Sequence, residues 1–158
     1  MADRDRSLLH RAVALARHSV DAGGGPFGAV IADVHGTIVA EGNNVVTVEQ
    51  DPTAHAEIEA IRRACRTRGS HRLDGLVLFS SCEPCPMCLA AAWWARLDGV
   101  RFASPRTAAA AAGFDDGRLW QAVSSGNTAP ELPVHQIPVA DAGTEFRQWL
   151  ERMDRIPY

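Results

Sequence analysis

Apolar residues recur at helical spacing in the first part of the chain. They return every three or four positions between residues 5 and 22, which predicts an amphipathic helix. The members of this stripe are Leu8, Leu9, Ala12, Val13, Ala16 and Val20. The run Gly23-Gly24-Gly25-Pro26 predicts the end of the helix. Two short apolar runs follow, at 27–32 and 37–42, and the turn residues between them predict a β-hairpin.

The rest of the chain alternates predicted strands with predicted helices. Further strands are predicted at 76–80 and 100–103, and a possible edge strand at 134–139 is limited by Pro138. Further helices are predicted at 54–67, 86–97, 107–112, 119–123 and 144–153. Strands separated by helices are typical of an α/β fold with a layered sheet.

Local signals refine two of these helices and the loops around them. Thr53 is suited to cap the helix that begins near Ala54. The helix that Pro86 opens is apolar nearly all round from Met87 to Leu97, which predicts that it is buried. The polar segments at 43–52 and 124–133 are predicted loops.

The composition limits the kind of protein. A chain of 158 residues with 46% hydrophobic and 22% charged residues predicts one globular domain over 1–158. The net charge of −3 and the scattered arginines argue against a nucleic-acid partner. No signal peptide is visible, and the longest uncharged apolar stretch, Met87 to Ala95, is too short to cross a membrane. We therefore expect a cytoplasmic protein whose four cysteines are thiols or metal ligands.

Two segments carry candidate chemistry, and each opens a predicted helix. They are His55-Ala56-Glu57 and Pro84-Cys85-Pro86-Met87-Cys88. Cys85 and Cys88 are three residues apart, so both thiolates can face one point on the first helical turn. One imidazole and two thiolates suit zinc, and the positive ends of the helix dipoles favour thiolates. The sequence therefore predicts one zinc ion per chain, held by His55, Cys85 and Cys88.

The proposed ligand set leaves one coordination position open. A structural zinc site is normally closed by four protein ligands, whereas three are typical of catalytic sites that bind water. Glu57 lies two residues after His55, and a carboxylate there can move a proton between that water and a leaving group. Because residues at i and i+2 do not share a face of a regular helix, we expect both in a loosened first turn.

Other interpretations of the same residues remain. The Cys-x-x-Cys pair alone is also typical of a redox pair or half of a zinc knuckle. Cys82, Cys85 and Cys88 with Cys65 as a fourth ligand would suit an iron–sulfur cluster. Against this, Cys65 lies on the apolar stripe of its helix, and Cys82 is expected to be a small buried residue at a strand end. A zinc-stabilised binding module without catalysis is a further alternative.

The combined pattern is the signature of zinc-dependent nucleobase and nucleoside deaminases. More specifically, the chain resembles bacterial guanine deaminases of the cytidine deaminase superfamily, from about residue 8 to the end. The resemblance rests on 24–31, Asn43-Asn44, 51–57, 81–88, Trp94-Ala95-Arg96 and Ala112-Gly113-Phe114-Asp115-Asp116. The zinc motif is shared across the superfamily, whereas the Gly-Phe-Asp-Asp segment is typical of the guanine-type branch.

This resemblance implies a fold, a reaction and a set of site residues. The implied fold is a three-layer α/β/α sandwich around a five-stranded mixed sheet, and the implied reaction is hydrolysis of guanine to xanthine and ammonia. Glu57 and Asp116 would be catalytic. The residues implied to bind the substrate are Phe27, Asn44, His55, Ala56, Trp94, Asp116 and Tyr158. Taken alone, Phe27 and Trp94 are also typical of a core, and Asp115-Asp116-Gly117 of a turn.

The resemblance also implies a homodimer. The C-terminal segment, about 134–158, would be exchanged between subunits, with 124–133 as the hinge and Tyr158 closing the partner's site. The zinc motif does not separate guanine from guanosine, cytosine, ammeline or a tRNA adenosine, because these share the reacting group. The acidic balance and the lack of a basic tail argue against tRNA.

Overall fold

Helices and strands alternate along most of the chain, as the apolar pattern predicts. The structure is a computed structural model that describes residues 2–126 and 132–157. Its strands are β1 (Gly28–Asp33), β2 (Ile38–Asn43), β3 (Leu76–Cys82) and β4 (Gly99–Ser104). Its helices are α1 (Ala2–Asp21), α2 (Val46–Glu49), α3 (Ala56–Arg68), α4 (Pro86–Trp94), α5 (Arg106–Ala111), α6 (Gly117–Ser125) and α7 (Thr144–Glu151).

The sheet is mixed and has the strand order β2-β1-β3-β4. Strand β1 pairs with β2 and β3 in antiparallel fashion, and the first of these pairings confirms the predicted hairpin. Strand β4 is parallel to β3, and α4 forms the crossover that a parallel pair requires. The carboxyl end of β3 therefore leads directly into the segment that carries Cys85 and Cys88.

Helices cover both faces of the sheet, which confirms the three-layer α/β/α arrangement. On one face, α1 packs against β1 and β3 through Leu8, Ala12, Val30, Ala32 and Phe79. On the other face, α3 and α4 pack over a second cluster that includes Ile31, Ala60, Leu76, Leu78 and Ala92. Odd-numbered residues of β3 thus face α1, and even-numbered residues face α3 and α4.

Close packing fixes the start of α3 against β2. A side chain at Gly42 would collide with the carbonyl of Ala56 and the main-chain nitrogen of Ala60. Only glycine lets the strand approach the helix backbone this closely. The first turn of α3, which carries Glu57, is thereby held against the sheet.

The expectation of five strands is wrong for the described part of the chain, where the sheet has four. Residues 134–139 form no strand, and their apolar side chains are exposed; Ile137, for example, is 81% accessible. A strand requires a partner that supplies main-chain hydrogen bonds. Among the described residues, no strand pairs with this segment, and Pro138 has no N–H to donate.

Three local expectations also require correction. Thr53 does not cap α3: its N–H and hydroxyl both donate to Asp51, and His55 is the N-cap residue. The predicted loop at 43–52 contains the short helix α2. Helix α4 is not buried all round, because it packs on one side only: Cys88 and Ala92 are its buried residues. Among the described residues, no helix is long and apolar enough to cross a membrane.

Candidate metal centre and active site

Two helix N-termini meet at the carboxyl end of β3. His55 precedes α3 and Cys85 precedes α4, and both have extended backbone angles rather than helical ones. Pro86 occupies the first turn of α4, where its missing N–H has no helical partner to lose. Because His55 lies outside the regular helix, its ring can face the same side as Glu57. The expectation that both residues lie in a loosened first turn therefore holds only for His55, because Glu57 is already the second residue of the regular helix.

The side chains of His55, Cys85 and Cys88 converge on one point. Their candidate ligand atoms all lie within 4.8 Å of one another. The His55 Nδ1 atom is 3.7 Å from Cys85 Sγ and 3.6 Å from Cys88 Sγ. Tetrahedral zinc, with Zn–S near 2.3 Å and Zn–N near 2.0 Å, places its nitrogen and sulfur ligands about 3.6 Å apart. The three residues therefore fit a zinc ion without rearrangement.

The charge of this cluster also favours a cation. A hydrogen bond from Cys88, together with His55, lowers the pKa of Cys85 to about 4. The same hydrogen bond, burial and the nearby Glu57 raise the pKa of Cys88 above its ordinary range. The hydrogen bond with Cys85 raises the pKa of His55. A divalent cation at this point would displace protons from the cluster and stabilise both thiolates.

Glu57 is a buried carboxyl group beside the ligand cluster. Only 4% of its surface is exposed, and burial raises the pKa of its carboxyl. The Ser80 hydroxyl donates to Oε1 at 2.8 Å, and Oε2 lies 3.4 Å from Cys88 Sγ. Glu59, also buried on α3, is ion-paired with Arg62 at 2.7 Å instead. Glu57 is therefore a buried carboxyl group held next to the candidate metal ligands.

A cavity of about 830 Å³ opens in front of this cluster. His55, Glu57 and Cys85 form part of its wall. Phe27 and Phe114 form another part, and their rings meet edge to face with centroids 5.0 Å apart. The cavity combines apolar aromatic walls with a few polar groups, as is typical of a site for a small planar ligand.

Asn44 presents a defined hydrogen-bonding group to the cavity. Its Oδ1 accepts from the main-chain N–H of Gly25 at 3.3 Å and of Val46 at 3.4 Å. The Ser19 hydroxyl donates to the Asn44 carbonyl at 2.8 Å. Because its oxygen is engaged by the protein, the side-chain amide of Asn44 offers its N–H donors to a ligand.

Asp116 lies at the start of α6 and lines the same cavity. Burial, and then the charge of Cys85, raises the pKa of its carboxyl. The charge of the Arg106 guanidinium opposes this shift, and that guanidinium lies 5.2 Å from the centre of the Trp120 ring. A second carboxyl group is thus present opposite the ligand cluster.

The cavity brings together most of the predicted site residues. These are Phe27, Asn44, His55, Glu57, Cys85 and Asp116. Three other predicted residues that the structure describes do not line the cavity. Cys88 is completely buried, with its sulfur 3.6 Å from His55 Nδ1. Ala56 packs in the core at the first position of α3, and Trp94 lies at the end of α4, half exposed beside Trp93. Tyr158 lies outside the described residues.

The cysteine arrangement argues against an iron–sulfur cluster. Cys65 packs against the core on α3, and Cys82 is buried at the end of β3, as predicted. Neither belongs to the group whose ligand atoms converge with those of His55. The sequence did not single out Ser80, Arg106 or Trp120. For Ser80 a signal was present, because a serine follows Leu76 and Leu78 on the core-facing side of β3.

Comparison with known proteins points to one family. The sequence profile of the cytidine and deoxycytidylate deaminase zinc-binding region matches residues 2–104. The chain is 47% identical over 153 residues to the guanine deaminase of Bacillus subtilis (strain 168), covering 96% of this chain and 97% of that protein. It is 36% identical over 99 residues to the tRNA-specific adenosine deaminase of the same organism, covering 63% and 61% respectively.

Solved structures give a consistent picture. The crystal structure of guanine deaminase from Bacillus subtilis superimposes with a TM-score of 0.89 at 44% identity, covering 97% of this chain and 98% of that one. A structure of guanine deaminase from Nitrosomonas europaea gives a TM-score of 0.67 at 33% identity, covering 70% and 64%.

Proposed function

We propose that this chain, which belongs to the cytidine and deoxycytidylate deaminase zinc-binding family, hydrolyses guanine to xanthine and ammonia. The choice of guanine as the substrate rests on how much of the chain each similarity covers. The match to a guanine deaminase covers 96% of the chain, whereas the match to a tRNA-specific adenosine deaminase covers 63%. The longer match includes Asp116 and the C-terminal segment, which lie beyond the zinc-binding region at 2–104.

The chemistry of the reaction is assigned to the ligand cluster and Glu57. His55, Cys85 and Cys88 would hold one zinc ion per chain, which would supply a water molecule with a lowered pKa at neutral pH. The Glu57 carboxylate would take the proton that the water loses at the substrate carbon that carries the amino group. Glu57 then returns a proton to the nitrogen, the carbon–nitrogen bond breaks and ammonia leaves. Asp116, on the other side of the cavity, is assigned a second proton-transfer role.

Substrate recognition is assigned to groups that the protein already holds in place. The Asn44 amide donates to an acceptor atom of the purine, because its own oxygen is bonded to Gly25 and Val46. Phe27 packs on the purine ring, supported by its contact with Phe114. Main-chain atoms of His55 and Ala56 are assigned to contact the substrate at the start of α3. Trp94 is assigned to pack around the ring with Phe27, and Tyr158 is assigned to close the site of the partner subunit.

The substrate assignment is tested by an ammonia-release screen. We expect the zinc-loaded protein to release ammonia from guanine, and to do so much faster than from guanosine, cytosine, cytidine, adenine or ammeline. Xanthine is measured in the same reaction by its ultraviolet absorbance. If another base is deaminated rapidly and guanine is not, the assignment of guanine as the substrate is wrong. The assignment of zinc-dependent deamination is unaffected by that result.

A domain-swapped homodimer is the second part of the proposal. The described C-terminal segment, 132–157, exposes nearly all of its large apolar side chains, and α7 has no buried residue. Strand β4 is at an edge of the sheet, so it has main-chain groups available to a further strand. Exchange of this segment would cover its apolar side chains and supply the fifth strand from the partner's 134–139. The free cysteines suit the reducing cytoplasm, where we place the protein.

Subunit complementation tests the exchange. One variant carries Glu57→Gln with a normal tail, and the other carries Tyr158→Ala with a normal Glu57. In a swapped dimer, a mixed pair joins an intact core to an intact tail, so random reassociation of the two inactive variants restores about one quarter of the sites. No recovery of activity after mixing, or a monomer near 17.0 kDa by light scattering, would contradict the exchange.

A further inference from the structure

Two adjacent serines are buried at the end of β3, and their hydroxyls serve different partners. Ser80 is completely buried, and its hydroxyl donates to Glu57 Oε1 at 2.8 Å. Ser81 is buried too, but its hydroxyl accepts from the main-chain N–H of Gly28 at 3.0 Å. Successive side chains of a strand point to opposite faces, so Ser80 faces α3 and Ser81 faces α1.

Ser80 breaks an apolar pattern at the level of the site. The even-numbered residues before it, Leu76 and Leu78, belong to the core under α3. A hydroxyl buried in such a position is costly unless it is hydrogen-bonded. The hydroxyl accepts from the Cys82 N–H at 3.4 Å and donates to Glu57, whose carboxylate lies beside the metal ligands, so the cost is offset by a contact inside the site.

The bond constrains how Glu57 can be oriented. Oε1 is tied to the sheet by Ser80, while Oε2 is directed to the ligand cluster, 3.4 Å from Cys88 Sγ. A glutamate side chain has three rotatable bonds, and fixing one oxygen to a rigid strand selects the rotamer that places the other. The carboxylate is thereby oriented before the substrate arrives, which is the condition for efficient proton transfer.

We propose that Ser80 is a positioning residue that holds Glu57 in its proton-transfer orientation while touching neither the metal nor the substrate. Ser80 is fully buried and does not line the cavity, so its effect on turnover passes through Glu57. The inference rests on the proposed role of Glu57 in deamination. It predicts that loss of the hydroxyl slows the chemical step and leaves substrate binding and the metal in place.

The test compares Ser80→Ala with Ser81→Ala and Ser80→Thr. For Ser80→Ala we expect kcat to fall about 10- to 100-fold, the range expected for losing a hydrogen bond to a charged group, with KM within about twofold. Zinc content and the thermal midpoint are measured for each variant. Ser80→Thr keeps the hydroxyl and suits a strand, so it should recover most of kcat.

Ser81→Ala is the matched control, because it deletes a buried hydroxyl one residue away. That hydroxyl accepts from the main-chain N–H of Gly28 and does not contact Glu57. We expect it to lower the thermal midpoint and to leave kcat near the wild-type value. A wild-type kcat in Ser80→Ala would overturn the inference, as would equal losses of kcat in the two alanine variants. Ratios of kcat are taken on whichever base the wild-type protein deaminates. Failure of guanine as the substrate and failure of this inference are therefore separate results.

Discussion

The Glu57→Gln variant is expected to bind zinc as the wild-type protein does and to lose about 10²- to 10⁴-fold in kcat, the range typical of removing a general acid–base group. Glutamine keeps the size of the side chain and can still accept the hydrogen bond from Ser80, so the fold and the ligand cluster should persist. It cannot take up a proton at neutral pH. Zinc content by elemental analysis and kcat from xanthine formation are the two readouts.

Glu59→Gln provides the control for this prediction. Glu59 is also buried on α3, but its carboxylate pairs with Arg62 at 2.7 Å and Arg63 at 3.9 Å, away from the cavity. Its replacement should cost some stability and leave kcat within a few-fold of wild type. A Glu57→Gln variant with near-normal turnover would exclude Glu57 as the proton carrier. Equal loss in both variants would mean that the effect is structural.

Removal of a metal ligand is expected to have the other large effect. The Cys88→Ala variant loses a buried thiolate whose sulfur lies 3.6 Å from His55 Nδ1. With two ligands left, zinc affinity should fall by more than the roughly 10- to 100-fold that is typical of losing an outer-shell partner. Turnover should disappear at ordinary zinc concentrations. The thermal midpoint should fall too, because bound metal stabilises the folded state.

Cys65→Ala is the matched control for the ligand variant. Cys65 is a free, half-buried cysteine on α3 that does not belong to the ligand cluster. Burial raises the pKa of its thiol. We expect this variant to bind one zinc ion per chain and to keep its activity. If Cys88→Ala still binds one zinc per chain, or if Cys65→Ala loses it, the ligand assignment is wrong. A visible absorbance band from bound iron would instead support an iron–sulfur cluster.

The ligand cluster was predictable because it depends on short-range spacing. Cys85 and Cys88 are close in sequence on one helix turn, and His55 opens another helix, so local structure determines most of the geometry. The sequence also indicated why Cys65 and Cys82 are not metal ligands. Cys65 lies on the apolar stripe of its helix, and Cys82 lies at the end of a predicted strand. The structure agrees, because Cys65 packs in the core and Cys82 is buried at the end of β3.

Contacts between distant segments were less predictable. The bond between Ser80 and Glu57 joins residues 23 positions apart, and it depends on which strand lies under the start of α3. The apolar pattern of 134–139 indicates a strand, but a strand forms only beside a partner, and this chain alone supplies none among the described residues. The apolar stretch after Pro86 likewise indicated a buried helix, although Trp93 and Trp94 are exposed at its end.

Hydrolytic deamination of guanine is tested most directly by a reaction in ¹⁸O-labelled water. The zinc-loaded protein is incubated with guanine, and xanthine is analysed by mass spectrometry while ammonia is measured in parallel. We predict equimolar xanthine and ammonia, with one ¹⁸O atom incorporated per xanthine at the carbon that carried the amino group. Guanine that remains unchanged while the protein holds one zinc per chain would contradict the proposed function.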